Sequence, residues 1–128
     1  MRLLLDTHTL LWFLADDPRL GIAAKQAIED VSNERWLSPV SLLEIAIKVR
    51  LGKLTLDRPF AELFPAQLES NDIRLLAMEA RHIEPLTHLP LHHRDPFDRL
   101  LATTALIEQL TLISVDQAFD SYGVTRLW

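Results

Sequence analysis

The sequence predicts an α/β fold, with a largely parallel central sheet and helices on both of its faces. Three observations predict it. Short apolar runs ("RLLLD", "RWL", "IRLLAM", "TLISVD") alternate with segments of helical period, the pattern of βαβ units. "LLL" is apolar without a polar alternate and "TLISV" is mostly apolar, which suits strands covered on both faces. The 128 residues, 48% hydrophobic and 24% charged, fit one globular domain, residues 1–128, with a core of its own. No repeat, low-complexity tract or Gly/Ser linker divides it.

The elements follow in order. Arg2–Asp6 reads as the first strand. "THTLLWFLADD" reads as a short helix capped by Asp6 or Thr7, because a side-chain oxygen there can accept a free first-turn N–H. Pro18 and Gly21 break the pattern, and "IAAKQAIEDV" resumes it with Ile22, Ala23, Ala27 and Ile28 on helical spacing. "RWLSPVS" is a strand leading into the helix "SLLEIAIKVRLG", which Gly52 ends. "PFAELFPAQLES" starts a helix at Pro59 that Pro65 kinks or splits. "IRLLAM" is a third strand, "EARHIEPL" a short helix and "THLPLHHR" a loop. "DPFDRLLATTALIEQL" is a helix capped by Asp95 with Pro96 at its first position. "TLISVD" is a strand ending on Asp116, and "VTRLW" a last short one.

Composition narrows the function. No apolar run approaches the roughly 20 residues of a membrane span, and no signal-peptide pattern follows Arg2. There is no cysteine, so disulfides and thiolate chemistry are excluded, and a cytosolic protein is the simplest reading. The net charge of −5 argues against a broadly basic, nucleic-acid-coating surface. It leaves room for a nucleic-acid enzyme whose acids gather at a metal, since a bound cation reverses the local sign.

The carboxylates carry the chemistry. Asp6 interrupts two apolar runs in "LLLDTHTLLW", as a helix cap or as a charge held at a strand mouth. Its apolar neighbours make an uncompensated charge costly there. The helix around Glu44 is apolar nearly all round and reads as buried. Ser41, Glu44 and Lys48, at i, i+3 and i+7, form one polar stripe. The stripe is either an exposed Glu44–Lys48 pair or the lining of a cleft, and the cleft is preferred. Asp95 suits a cap, and Asp98 suits a capping box or a ligand, with the small Ala102 and Ala105 on its side. Asp116 ends a strand, and Asp120 lies four residues on, near the cluster or facing solvent. In open parallel sheets the crevice beyond the C-terminal strand ends is the functional one. Four carboxylates meeting there would repel and raise one another's pKa. A hard divalent cation, Mg²⁺ or Mn²⁺, makes such a set tolerable.

Other chemistries find less support. His8, His82, His88, His92 and His93 form no zinc spacing and have no cysteine partner. They read as surface or contact residues. Trp12, Phe13, Trp36, Phe97 and Phe119 read as core or oligomer contacts rather than a base-stacking platform. Three glycines make no phosphate loop, and no G-x-S-x-G elbow is present. Lys48, Arg50, Arg94 and Arg99 read as phosphate contacts or as local ion-pair partners.

Four segments, "LLLDTHTLLW", "SPVSLLEIAIKVRLGKL", "HHRDPFDRLLATTA" and "LISVDQAF", resemble in order the acidic motifs of the PIN domain family, and within it the VapC-type ribonuclease toxins. The resemblance runs over essentially the whole chain. It implies a three-layer α/β/α sandwich and Mg²⁺- or Mn²⁺-dependent cleavage of RNA phosphodiester bonds, with one metal or two. By motif, Asp6, Glu44, Asp98 and Asp116 would be the catalytic, metal-binding acids, with Asp95 and Asp120 as outlying candidates. It also implies a VapB-like antitoxin that blocks the site, and a homodimer. One rival is an aspartyl-nucleophile phosphatase, which needs a second Asp two residues after the first; here that position is His8. The other is a catalytically inactive binding module on the same scaffold, against which stands the full acid set.

Overall fold

The computed structural model describes residues 1–128. Five parallel strands form one sheet: β1 (Arg2–Leu5), β2 (Glu34–Leu37), β3 (Ile73–Leu75), β4 (Thr111–Ile113) and β5 (Arg126–Leu127), in spatial order β3-β2-β1-β4-β5. The helices are α1 (Thr7–Leu14), α2 (Ile22–Glu29), α3 (Pro39–Arg50), α4 (Phe60–Leu63), α5 (Ala66–Ser70), α6 (Ala80–Ile83) and α7 (Pro96–Glu108). Two 3₁₀ segments, Glu84–Thr87 and Gln117–Tyr122, complete the chain. No helix is long and apolar enough to cross a membrane.

The pleat of β1 explains the layers. Leu3 and Leu5 point to one face and Leu4 to the other, and all three are fully buried. Leu3 and Leu5 join Leu10, Ala24, Ile28, Ile45, Phe64 and Leu68, from α1 to α5 and the link between α4 and α5. Leu4 joins Leu101, Ala102 and Ala105 of α7, with Leu112 and Phe119. Helices therefore cover both faces, as in an α/β/α sandwich. The last carbonyls of α2 are met by the buried guanidinium of Arg35, which donates to Ile28 O and Asp30 O at 3.0 and 3.1 Å. A cation at a helix C-terminus is favourable.

Several expectations need correction. Pro39 opens α3 instead of closing a strand: Ser38 caps it, accepting the Val40 N–H at 3.2 Å. At Pro65, of the two outcomes read from the sequence, the split is the one found, giving two short helices. β3 and β4 have three residues each, so Asp116 lies three residues beyond β4, as cap of the following 3₁₀ segment. The largest correction is α3, which is not buried all round. Its polar stripe faces inward, with Ser41 and Glu44 buried, while Leu43 and Ile47 are 52% and 39% exposed. Ala102 and Ala105 are closed into the second core rather than leaving open space.

Candidate active site

The strand order sets the site. β1 and β2 progress one way across the sheet, then the chain crosses back to place β4 on the other side of β1. Such a reversal opens a crevice between the two C-terminal ends. β1 and β4 lie in register there, Leu5 beside Ile113, so Asp6 and Ser114 leave the sheet side by side.

Asp6 caps α1, its Oδ1 accepting the Thr7 N–H at 2.7 Å, and its Oδ2 accepts the Ser114 hydroxyl at 2.8 Å. The Ser114 oxygen in turn accepts the Asp116 N–H at 3.1 Å. One hydroxyl thus couples the first acid to the last. Thr9 pins α1 to the same strand end, donating to Ile113 O at 2.7 Å. Burial pushes the Asp6 carboxyl above its ordinary range; the Ser114 and Thr7 hydrogen bonds and the nearby His8 oppose the rise, and the Glu44 charge adds to it.

Glu44 comes from α3, one turn after Ser41, and is buried, with Lys48 Nζ at 3.5 Å from its Oε2. The ion pair and the cleft, taken as alternatives on the sequence, coexist. Asp98 stands in the first turn of α7. Its pKa is pushed up to about 7, first by burial and then by the charges of Asp6 and Asp95; His93 lowers it and Glu44 raises it. That sum is a measure of crowding: Asp6, Glu44, Asp95 and Asp98 share one field. Asp95 itself caps α7, accepting the Phe97 N–H at 2.8 Å, and is exposed.

Asp116 approaches from the far side. Ligand atoms of Asp98, Asp116 and His93 lie within 4.8 Å of one another. Partial burial raises the Asp116 carboxyl, but the His93 hydrogen bond, the Ala118 N–H and the charges of His93 and Arg126 outweigh it, leaving the pKa lowered. Asp120 does not join them: it is exposed and ion-paired to Arg126 at 2.8 Å.

His93 and Ser114 are the two residues at this crevice that the sequence did not mark. His93 is buried, stacked on Tyr122 and tilted against Phe119, with Nε2 at 2.8 Å from Asp116 Oδ2 and its backbone N–H donated to Tyr122 Oη. An ionised carboxylate accepts, so Nε2 carries the proton. The signal for Ser114 was a hydroxyl set between Ile113 and Val115. His93 had none, since "HHR" reads as loop. His82 is buried as well, but in a structural role: Nδ1 accepts the Glu79 N–H and Nε2 meets Glu108 at 2.7 Å, tying α6 to α7. His8, His88 and His92 are exposed, as surface residues.

The donor set fits a hard divalent cation. It consists of carboxylate oxygens in a partly desolvated crevice, two of them raised in pKa by burial and mutual charge. Two buried polar atoms, Ser41 Oγ on the inward stripe of α3 and His93 Nδ1, also lack a protein partner.

Comparison with known proteins gives concordant findings. The model of the PIN domain matches residues 3–124. Ribonuclease VapC22 of Mycobacterium tuberculosis is 28% identical over 124 residues, covering 96% of this chain and 93% of that protein. VapBC-1 from nontypeable Haemophilus influenzae superposes with a TM-score of 0.65 at 14% identity, over 99% of this chain and 97% of that one. VapBC2 from Rickettsia felis, solved bound to a DNA fragment from its promoter, gives 0.65 at 15% identity, over 99% and 98%. At these identities the structural matches speak for the fold.

Proposed function

The chain belongs to the PIN domain family, and from that premise we propose that it is a metal-dependent endoribonuclease, the toxin of a type II toxin–antitoxin pair. One observation carries the proposal: Asp6, Glu44 and Asp98 come from three separate elements and lie close enough for their charges to act on one another, and burial with that charge opposes the ionisation of Asp6 and Asp98. A fold keeps such a cluster when a cation compensates it.

On this reading Asp6, Glu44, Asp98 and Asp116 hold Mg²⁺ or Mn²⁺. Such a cation, when bound, draws in a phosphodiester oxygen and makes a water more acidic. The remaining work belongs to the chain. Ser114 fixes the Asp6 carboxylate and, through the Asp116 N–H, the loop after β4. His93 Nε2–H holds one oxygen of Asp116 and leaves the other to the Ala118 N–H. Lys48 offers a positive charge beside Glu44 for a non-bridging phosphate oxygen. Asp98, crowded toward neutrality, ionises when its surroundings are compensated.

The experiment is RNA cleavage by purified protein. We expect activity with Mg²⁺ or Mn²⁺ and none in EDTA. Full activity in EDTA after exhaustive dialysis defeats the mechanism. Binding of RNA without cleavage under either metal favours the inactive module instead.

The proposal extends to partners and place of action. A VapB-like antitoxin with a basic, arginine-bearing segment suits the acid crevice, and the structural relatives are named VapBC. Co-expression with the small protein of the neighbouring reading frame should yield an inactive complex. A complex that retains full activity contradicts it. A homodimer is proposed through the outward row of α3, Leu43, Ile47 and, beyond the helix, Leu51. The cytoplasm is where its RNA substrate lies.

A further inference from the structure

A cavity of about 800 Å³ lies beside the acid crevice rather than within it. Two residues join them. Lys48 lines the cavity and reaches Glu44 at 3.5 Å. His8 also lines it, two residues after Asp6 and close enough to act on that carboxyl. A strand leaving the crevice past these two residues enters the cavity.

The lining has a divided chemistry. Lys48, Lys53, Arg19 and Arg58 bring positive charge against Asp17 and Asp57. Arg19 neutralises Asp17 through two contacts, at 2.7 and 3.1 Å, whereas Lys53 and Arg58 enter no ion pair. In a chain of net charge −5, two unpaired cations at one rim make a local anion site. Below them the wall is apolar, with Leu54, Leu56 and Phe64. The half-buried Trp12 has the His8 ring at 5.7 Å and the Arg19 guanidinium at 5.0 Å. Aromatic and guanidinium planes are what unpaired nucleobases stack on.

We propose that this cavity is a nucleotide subsite, which takes a base of the single strand against Trp12 and His8 and its phosphates on Lys48, Lys53 and Arg58. It rests on the endoribonuclease reading and adds where the strand runs: away from the acids between α1 and the segment 53–58. Trp12, read from the sequence as core or oligomer contact, becomes a stacking surface. Charge decides between occupants. A basic inhibitory segment complements the carboxylates and is repelled by this rim, while a polyanion is attracted to it. The volume falls within the roughly 300–1,000 Å³ of ligand pockets.

The test is fluorescence anisotropy with a labelled single-stranded 12-mer RNA, in EDTA so that binding is read without cleavage. Lys53 and Arg58 are exposed, so the double variant Lys53→Ala/Arg58→Ala keeps the fold, which its melting curve verifies. Its Kd should rise about tenfold or more, and the slope of log K against log salt should fall by about 1.4, two phosphate contacts to a single strand. Trp12→Leu should weaken binding about fivefold or more through lost stacking, with Trp12→Phe recovering most of it. The control Arg2→Ala/Arg74→Ala removes the same charge elsewhere and should change Kd less than about twofold.

If both double variants weaken binding equally, the attraction is general and the subsite is refuted. It is refuted too if Lys53→Ala/Arg58→Ala binds RNA normally but no longer retains the antitoxin. Cleavage by the unaltered protein with Mn²⁺ is measured in parallel. Cleavage with an indifferent rim sinks the subsite alone; rim-dependent binding without cleavage sinks the nuclease reading alone.

Discussion

Asp98 pays for its position: its carboxyl titrates at about 7 instead of 3.8, through burial and the charges of Asp6 and Asp95. Between those values the unfolded chain has released the proton and the folded chain keeps it. Stability of the metal-free protein therefore falls as pH rises through about 4 to 7, and Asp6, also raised, acts in the same direction. Asp98→Asn cannot ionise and escapes the loss. Its thermal midpoint in EDTA should exceed that of the unaltered protein at pH 8, with the gap closing toward pH 4, while cleavage is abolished. A lower midpoint at pH 8 would show that Asp98 is not strained. Asp95→Asn is the contrast, since an asparagine still accepts the Phe97 N–H. We expect it to stay within about 1 kcal/mol and to keep substantial activity. The two aspartates of "DPFDR" could be told apart on the sequence because Pro96 marks the helix start. His93 could not, because its burial depends on Tyr122 and Phe119, 26 or more residues later.

Among the elements, α3 shows most clearly what sequence reasoning reaches. Its stripe of Ser41, Glu44 and Lys48 was legible, being a periodicity. Its inward direction was legible too, as the preferred cleft lining; the exposed apolar row was not, because a helix rich in Leu, Ile and Val reads as buried all round. The sheet face is already filled by Leu5, Leu37 and Leu10, and α3 gives it only Ile45 among its fully buried apolar residues. The rest of the apolar surface turns outward. Leu43→Lys and Ile47→Lys should then leave the melting temperature of the monomer within about 0.5 kcal/mol equivalents. They should also convert any dimer to monomer by light scattering. A large loss of stability in a monomeric sample would mean that the row packs inside the chain. Strand lengths were overestimated for a related reason: "IRLLAM" stays apolar past the end of β3, and Val115 prolongs the apolar look of "TLISVD" past β4, where the chain already turns into the site.

At the scale of the molecule, on the proposed function, the acid crevice and the net charge of −5 would make divalent metal a folding ligand as well as a catalytic one. Mg²⁺ or Mn²⁺ should raise the melting temperature by linkage, and Asp6→Asn should reduce that dependence. A midpoint indifferent to millimolar metal counts against a shared site.

The strand order carries a last consequence, in time rather than space. The central strand β1 is made first, yet its partner β4 begins at residue 111, and the Asp6–Ser114 bond spans 108 residues. Non-local parallel pairing of this kind forms late. On the proposed function, a nascent chain carries its first acid until Ser114, 108 residues later, is made and completes the crevice. A chain stopped before Thr111 should show neither cooperative melting nor RNA cleavage. On that reading, a toxin built this way stays inactive on its own ribosome until β4 and the loop after it have emerged.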